Sequence, residues 1–195
     1  MIAMAKRREF RPDKQKTNLL SHLWLTPKQQ KVFLKWAFYT VLLMGISVVQ
    51  DVVLSRVRLG GATTELIPCA IFLICILENS QQSCIFALVS GLLYLFSGTA
   101  PGIYSMVAIT FLGVGVSIFR QTYLQESFSS AALCITVAML FYELVNFCFG
   151  LFLGLTYLSR FTGFLITAGL SLLAIPILYP ITKAICAIGG NSWRE

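Results

Sequence analysis

Apolar runs separated by short polar breaks fill the chain from about Trp36 to its last residues. They cover Ala37 to about Leu54, Leu66 to Leu77, Cys84 to Phe96, Ile103 to Phe119, Ala131 to about Leu155, and Phe161 to Ile181. A membrane-crossing helix needs about 20 apolar residues, within a range of roughly 17 to 25. The first, fourth, fifth and sixth runs meet that length, whereas the second and third are short. Those two are joined by the polar turn Glu78-Asn79-Ser80-Gln81-Gln82-Ser83 and closed by Ser97-Gly98-Thr99-Ala100-Pro101-Gly102, so they read as a membrane hairpin. The pattern predicts an all-α, polytopic membrane bundle of about six transmembrane helices. It has three parts: a basic cytoplasmic tail with an interfacial segment over 1–26, the six-span domain over 27–188, and a short cytoplasmic C-terminus over 189–195.

Local signals refine the ends of these elements. Thr26-Pro27-Lys28-Gln29 is a helix start: threonine accepts from a free amide of the first turn, glutamine reaches back, and proline has no donor to lose there. The first helix is therefore expected to begin before the membrane, with Lys28, Lys31 and Lys35 near the headgroups. Pro176 inside the sixth run is expected to kink it, because it removes a backbone donor and crowds the preceding turn. Arg120 to Ser130 reads as a polar connection offering a cytoplasmic contact surface.

Composition agrees with the pattern and adds orientation. The 195 residues are 57% hydrophobic and 12% charged, with a mean hydropathy of +0.79, against about a quarter charged in ordinary soluble domains. Nine of the fifteen lysines and arginines precede Trp36. Such a tail beside a membrane domain is expected to lie on anionic lipid at the cytoplasmic face, with no nucleic acid as partner. Counting both termini as cytoplasmic puts twelve basic residues on that side against Arg56, Arg58 and Arg160 on the other, which predicts N-in and C-in. No cleavable signal peptide is expected, since no small-residue cleavage site lies near the first span. Six cysteines fall in apolar runs without C-x-x-C spacing and read as small hydrophobes, with no metal site, disulfide or cofactor.

Two kinds of residue stand out within the spans. Small residues recur at helical spacing: Ser83, Ala87 and Gly91; Gly113 and Ser117; Gly150 and Gly154; Gly163, Thr167 and Ser171. Such faces let helices approach closely in lipid, and they predict tight packing. Glu143, with Asn146 one turn later, is a mid-membrane carboxylate that must face the bundle or a partner; Tyr94 is another mid-membrane polar group. Glu65, Asp51, Arg56 and Arg58 suggest a charge cluster at the outer surface. A single histidine, no mid-membrane aspartate and no paired carboxylates argue against an enzyme.

Gln50 at the end of the first span, Arg58-Leu59-Gly60-Gly61, Thr64-Glu65-Leu66, Ser90-Gly91-Leu92-Leu93, and Ser97-Gly98 followed by Pro101-Gly102-Ile103-Tyr104 form a recognisable order. From Val49 onward this order resembles the MreD family of bacterial rod-shape-determining membrane proteins. The chain departs from that family's pattern at Thr64-Glu65-Leu66, where Pro-Asp-Leu is common, and at Tyr94, where aspartate is common. The resemblance implies a non-catalytic subunit of the cell-elongation machinery in the bacterial cytoplasmic membrane. Its implied partners are MreC, MreB and the RodA/penicillin-binding-protein synthase. It also implies a fold similar to the substrate-binding subunits of energy-coupling-factor vitamin transporters, which are the rival functional reading. That rival draws on Tyr94, Tyr104, Glu143, Asn146 and Tyr157 as pocket residues; a proton-coupled carrier using Glu143 is a third.

Overall fold

The apolar run Leu66–Leu77 becomes the central helix of the bundle, with all the longer helices arranged around it. The computed structural model describes residues 27–56, 64–123 and 127–188. The expected cap at Thr26, the basic tail, Arg58 and the C-terminal segment lie outside the described residues. Within them the chain forms α1 (Pro27–Val52), α2 (Leu66–Leu77), α3 (Ser80–Phe96), α4 (Ile103–Tyr123), α5 (Phe128–Phe152), α6 (Phe161–Leu172) and α7 (Ile175–Ile188). Short 3-10 turns follow α1 at Leu54–Arg56 and precede α6 at Leu158–Arg160. No strand occurs among the described residues.

Three helices, α1, α4 and α5, are long and apolar enough to cross a membrane. A fourth crossing arises if α6 and α7, bent by 49° at their junction, count as one span. The bend lies at Leu173–Ala174, just before Pro176, which sits in the first turn of α7 where its missing N–H costs nothing. Two polar connections are shorter than expected. Ser80 to Ser83 wind into α3 after a turn of only Glu78 and Asn79, and α4 continues through Arg120 to Tyr123. Arg120 is therefore no loop residue: it is buried in the bundle.

At 12 residues α2 is about 18 Å long, well short of a hydrocarbon core of about 30 Å. Eleven of its residues, Ile67 to Leu77, are buried. Lipid is as apolar as these side chains, so close packing and end-group hydrogen bonds, rather than transfer from water, hold α2 in place. Around it, α3 and α4 pair through small residues. A Cβ on Gly113 would lie 3.1 Å from both Ala87 Cβ and Cys75 Sγ, and one on Gly91 would lie 3.3 Å from Met106 Cγ. The Ser83 hydroxyl meets Ser117 at 3.2 Å.

Gly154 does something else. Its φ of +69° ends α5, with its N–H bonded to the Leu151 carbonyl (3.1 Å) and the Leu155 N–H to the Gly150 carbonyl (2.8 Å). That is the paired-bond helix stop that favours glycine. Nothing lies within 4 Å of where its Cβ would be, so it is a terminator and not part of a packing face.

Candidate functional site: two polar layers at the ends of the central helix

A helix leaves four amides unpaired at its start and four carbonyls at its end, and inside a membrane bundle each needs a partner. At the start of α2, the Glu65 N–H donates to Ser171 Oγ (2.9 Å). The Leu66 and Ile67 N–H groups both donate to Gln50 Oε1 (2.8 and 3.1 Å). The fourth position is Pro68, which has no N–H. At the far end, Cys75, Ile76, Leu77 and Glu78 present the free carbonyls. Ser83 Oγ donates to Cys75 (3.0 Å), Arg120 Nη1 to Ile76 (2.8 Å), Cys186 Sγ to Leu77 (3.7 Å) and Ser117 Oγ to Glu78 (3.0 Å). Thus α1, α3, α4, α6 and α7 each spend polar side chains on the ends of one short helix.

The layer at the C-terminal end of α2 is closed. Lys35 Nζ donates to Glu78 Oε2 at 2.8 Å and the Tyr39 hydroxyl donates to Oε1 at 3.0 Å. The lysine and glutamate side chains are 5% and 0% exposed. Lys35 follows the start of α1 by eight residues, about 12 Å at the helical rise. It is buried in an ion pair and does not rest among headgroups as expected. The Trp36, Tyr39 and Phe86 rings pack together beside this layer. With both charges paired and the carboxylate accepting a further bond, the layer fixes how the helices sit.

The layer at the N-terminal end is different in kind. Tyr94 donates to Glu65 Oε2 at 3.2 Å, and the Glu65 carboxylate also faces Tyr142. Tyr142 in turn lies against Asn146 and Glu143, and Glu143 feels the charge of Glu65. Tyr94, Tyr142, Glu143 and Asn146 are 2%, 0%, 3% and 2% exposed. The Tyr142 hydroxyl, Glu143 Oε1 and both polar atoms of Asn146 are buried without a hydrogen-bond partner among the described residues. Burial pushes the carboxyl of Glu65, the residue before α2, above its ordinary range, while the Tyr94 hydroxyl bonded to it pulls it back by favouring the charged form.

The residues singled out in the sequence thus fall into separate places. Glu65, Tyr94, Glu143 and Asn146 come together. Arg56 is exposed at the end of its 3-10 turn. Glu65 turns inward to Tyr94 and so does not join a surface cluster with Arg56. Tyr104 stacks on Phe149 at 5.1 Å between centroids, and Tyr157 is 76% exposed. Ser83 and Ser117, read as packing residues, also cap α2. Sequence reasoning missed the Lys35–Glu78 pair, the capping role of Gln50 and Ser171, and the partnership of Tyr142. A signal was available: an apolar run of twelve residues flanked by Glu65 and Glu78 is too short to reach both membrane faces. Its seven free end groups must then find partners inside the bundle.

Beside these layers, two adjoining lateral clefts of about 360 and 320 Å³ run along α1 and α3, sharing Thr40, Leu43, Ser90 and Leu93. Among the described residues no three histidine, cysteine, aspartate or glutamate side chains gather as a metal centre would require. Comparison with protein-family models, with curated proteins and with solved structures finds no match to this chain.

Proposed function

We propose that this chain is a non-catalytic, MreD-like membrane subunit of the bacterial cell-elongation machinery, scaffolding MreC and the peptidoglycan synthase during wall growth. In this reading it is a multi-pass protein of the cytoplasmic membrane with both termini cytoplasmic, and the short hairpin α2–α3 enters and returns on one side, which leaves that orientation unchanged. One observation carries the proposal. Gln50 and Glu65, fifteen positions apart and both within the motifs that resemble MreD, meet at the same end of α2, where Gln50 caps the helix that Glu65 begins. The motif residues therefore build the centre of the fold, as scaffold motifs should.

The closed Lys35–Tyr39–Glu78 layer supports a rigid subunit, and the lateral clefts along α1 and α3 supply an apolar face suited to a single-span partner such as MreC. Basic residues of the tail suit contact with anionic lipid and with MreB at the cytoplasmic face. Co-purification tests the reading: the full chain in mild detergent is expected to retain its own organism's MreC. Failure to retain it, with both proteins folded and at micromolar concentration, counts decisively against the scaffold.

The unpartnered atoms of Tyr142, Glu143 and Asn146 favour a second reading, a substrate-binding subunit of an energy-coupling-factor vitamin transporter. A vitamin co-purifying in stoichiometric amount would support that reading over the first.

A further inference from the structure

The two ends of α2 differ in one respect that chemistry must answer. At the Glu78 end the carboxylate and all four carbonyls have partners. At the Glu65 end four polar atoms, from Tyr142, Glu143 and Asn146, are buried and have no hydrogen-bond partner among the described residues. Leaving one such atom unpaired costs about 1–3 kcal/mol, and native structures hold only a few per hundred residues. Four on two adjacent turns of one helix call for a partner from outside the protein. They share a chemistry as well: oxygens dominate, two carboxylates stand near each other, and no lysine, arginine or histidine among the described residues is paired with either.

We propose that Glu65, Glu143 and the carboxamide oxygen of Asn146 hold a small alkali cation, Na+ or K+, between α2 and α5. The ligands are hard oxygens, which select alkali and alkaline-earth ions over softer metals. A divalent ion is disfavoured because the six to eight oxygen ligands typical of Ca2+ lean on several carboxylates, and among the described residues no third acidic group joins this pair. One alkali cation and one retained proton balance the two carboxylates. Tyr94, already donating to Glu65 Oε2, holds that carboxylate in place from behind. Glu65 is partly exposed where the chain enters α2, and this gives the ion its way in. The site owes nothing to the scaffold reading and survives or fails independently of MreC binding.

The test uses the full chain in detergent, unfolded thermally at constant ionic strength while choline chloride is replaced by NaCl or KCl. A saturable rise in unfolding temperature with Na+ or K+, absent with choline, is expected. Equilibrium dialysis with radioactive Na+, or Rb+ as a K+ substitute, is expected to give one ion per chain. Glu143→Leu and Asn146→Leu should each weaken binding by roughly tenfold or more, the effect of losing a ligand oxygen from a charged contact. Identical melting curves in choline and both alkali salts overturn the proposal, and this readout needs no variant to fold. Ion binding that survives unchanged in both variants, or saturation by Ca2+ with no response to Na+ or K+, overturns it equally.

Discussion

Glu78→Ala removes the carboxylate that holds Lys35 and Tyr39 in the closed layer, and its cost follows from the geometry. It strips Lys35 Nζ, on a side chain only 5% exposed, of the counter-charge 2.8 Å away, and leaves the Tyr39 hydroxyl without its acceptor at 3.0 Å. One-sided loss of a buried ion pair costs about 3–5 kcal/mol, and an orphaned buried hydroxyl adds about 1–3 kcal/mol. Lys35 has a four-carbon stem and lies about two turns from the start of α1, so its ammonium recovers part of that loss by reaching toward the membrane face. A net destabilisation of about 3–5 kcal/mol is expected. The triple variant Lys35→Met, Tyr39→Phe, Glu78→Leu removes every member of the layer and replaces it with apolar volume. It should lie within about 1 kcal/mol of wild type, because desolvation of the original pair offsets most of its attraction. Reversible unfolding in mixed micelles, followed by tryptophan fluorescence, measures both. A Glu78→Ala cost below about 1 kcal/mol, the range of exposed pairs, would refute the burial argument. So would a triple variant as unstable as the single one.

The same unfolding assay checks three further expectations. Gln50→Leu strips the caps from Leu66 and Ile67 and should cost about 1–3 kcal/mol for each amide left bare. Gly113→Leu forces a side chain into a gap where even a Cβ sits 3.1 Å from Ala87 and Cys75; it should cost at least about 1–3 kcal/mol by overpacking, whereas Gly163→Leu, with open space around it, should fall within about 0.5 kcal/mol of wild type. Asn146→Leu, measured in choline without alkali cations, removes two buried unpaired atoms and should leave stability unchanged or raise it; a loss above about 2 kcal/mol would show that these atoms have protein partners after all.

The apolar runs by themselves determined that the described chain is helical and suited to a membrane. Their length and composition leave little else for a backbone that must satisfy its own polar groups. The unbroken apolar run also placed α2 from Leu66 to Leu77, and the helical period of 3.6 put Glu143 and Asn146 on one face. Where the sequence misled, the cause lay in contacts between distant segments. Lys35 has the look of a headgroup lysine and Arg120 of a loop arginine, because local sequence assigns a charge to the nearest polar surface. Only the packing of α1 and α4 against α2 shows that the nearest polar partner of each is the end of another helix, 43 and 44 positions away. Gly154 resembles a packing glycine by its spacing from Gly150, yet its positive φ makes it the stop of α5. Tertiary structure alone divided the polar residues into a layer that is saturated and one that is not, because hydrogen-bond satisfaction depends on which side chains of other helices arrive. That division joins Glu65, which the sequence suggests for an outer-surface charge cluster, to the intramembrane Glu143 and Asn146 as a candidate binding site.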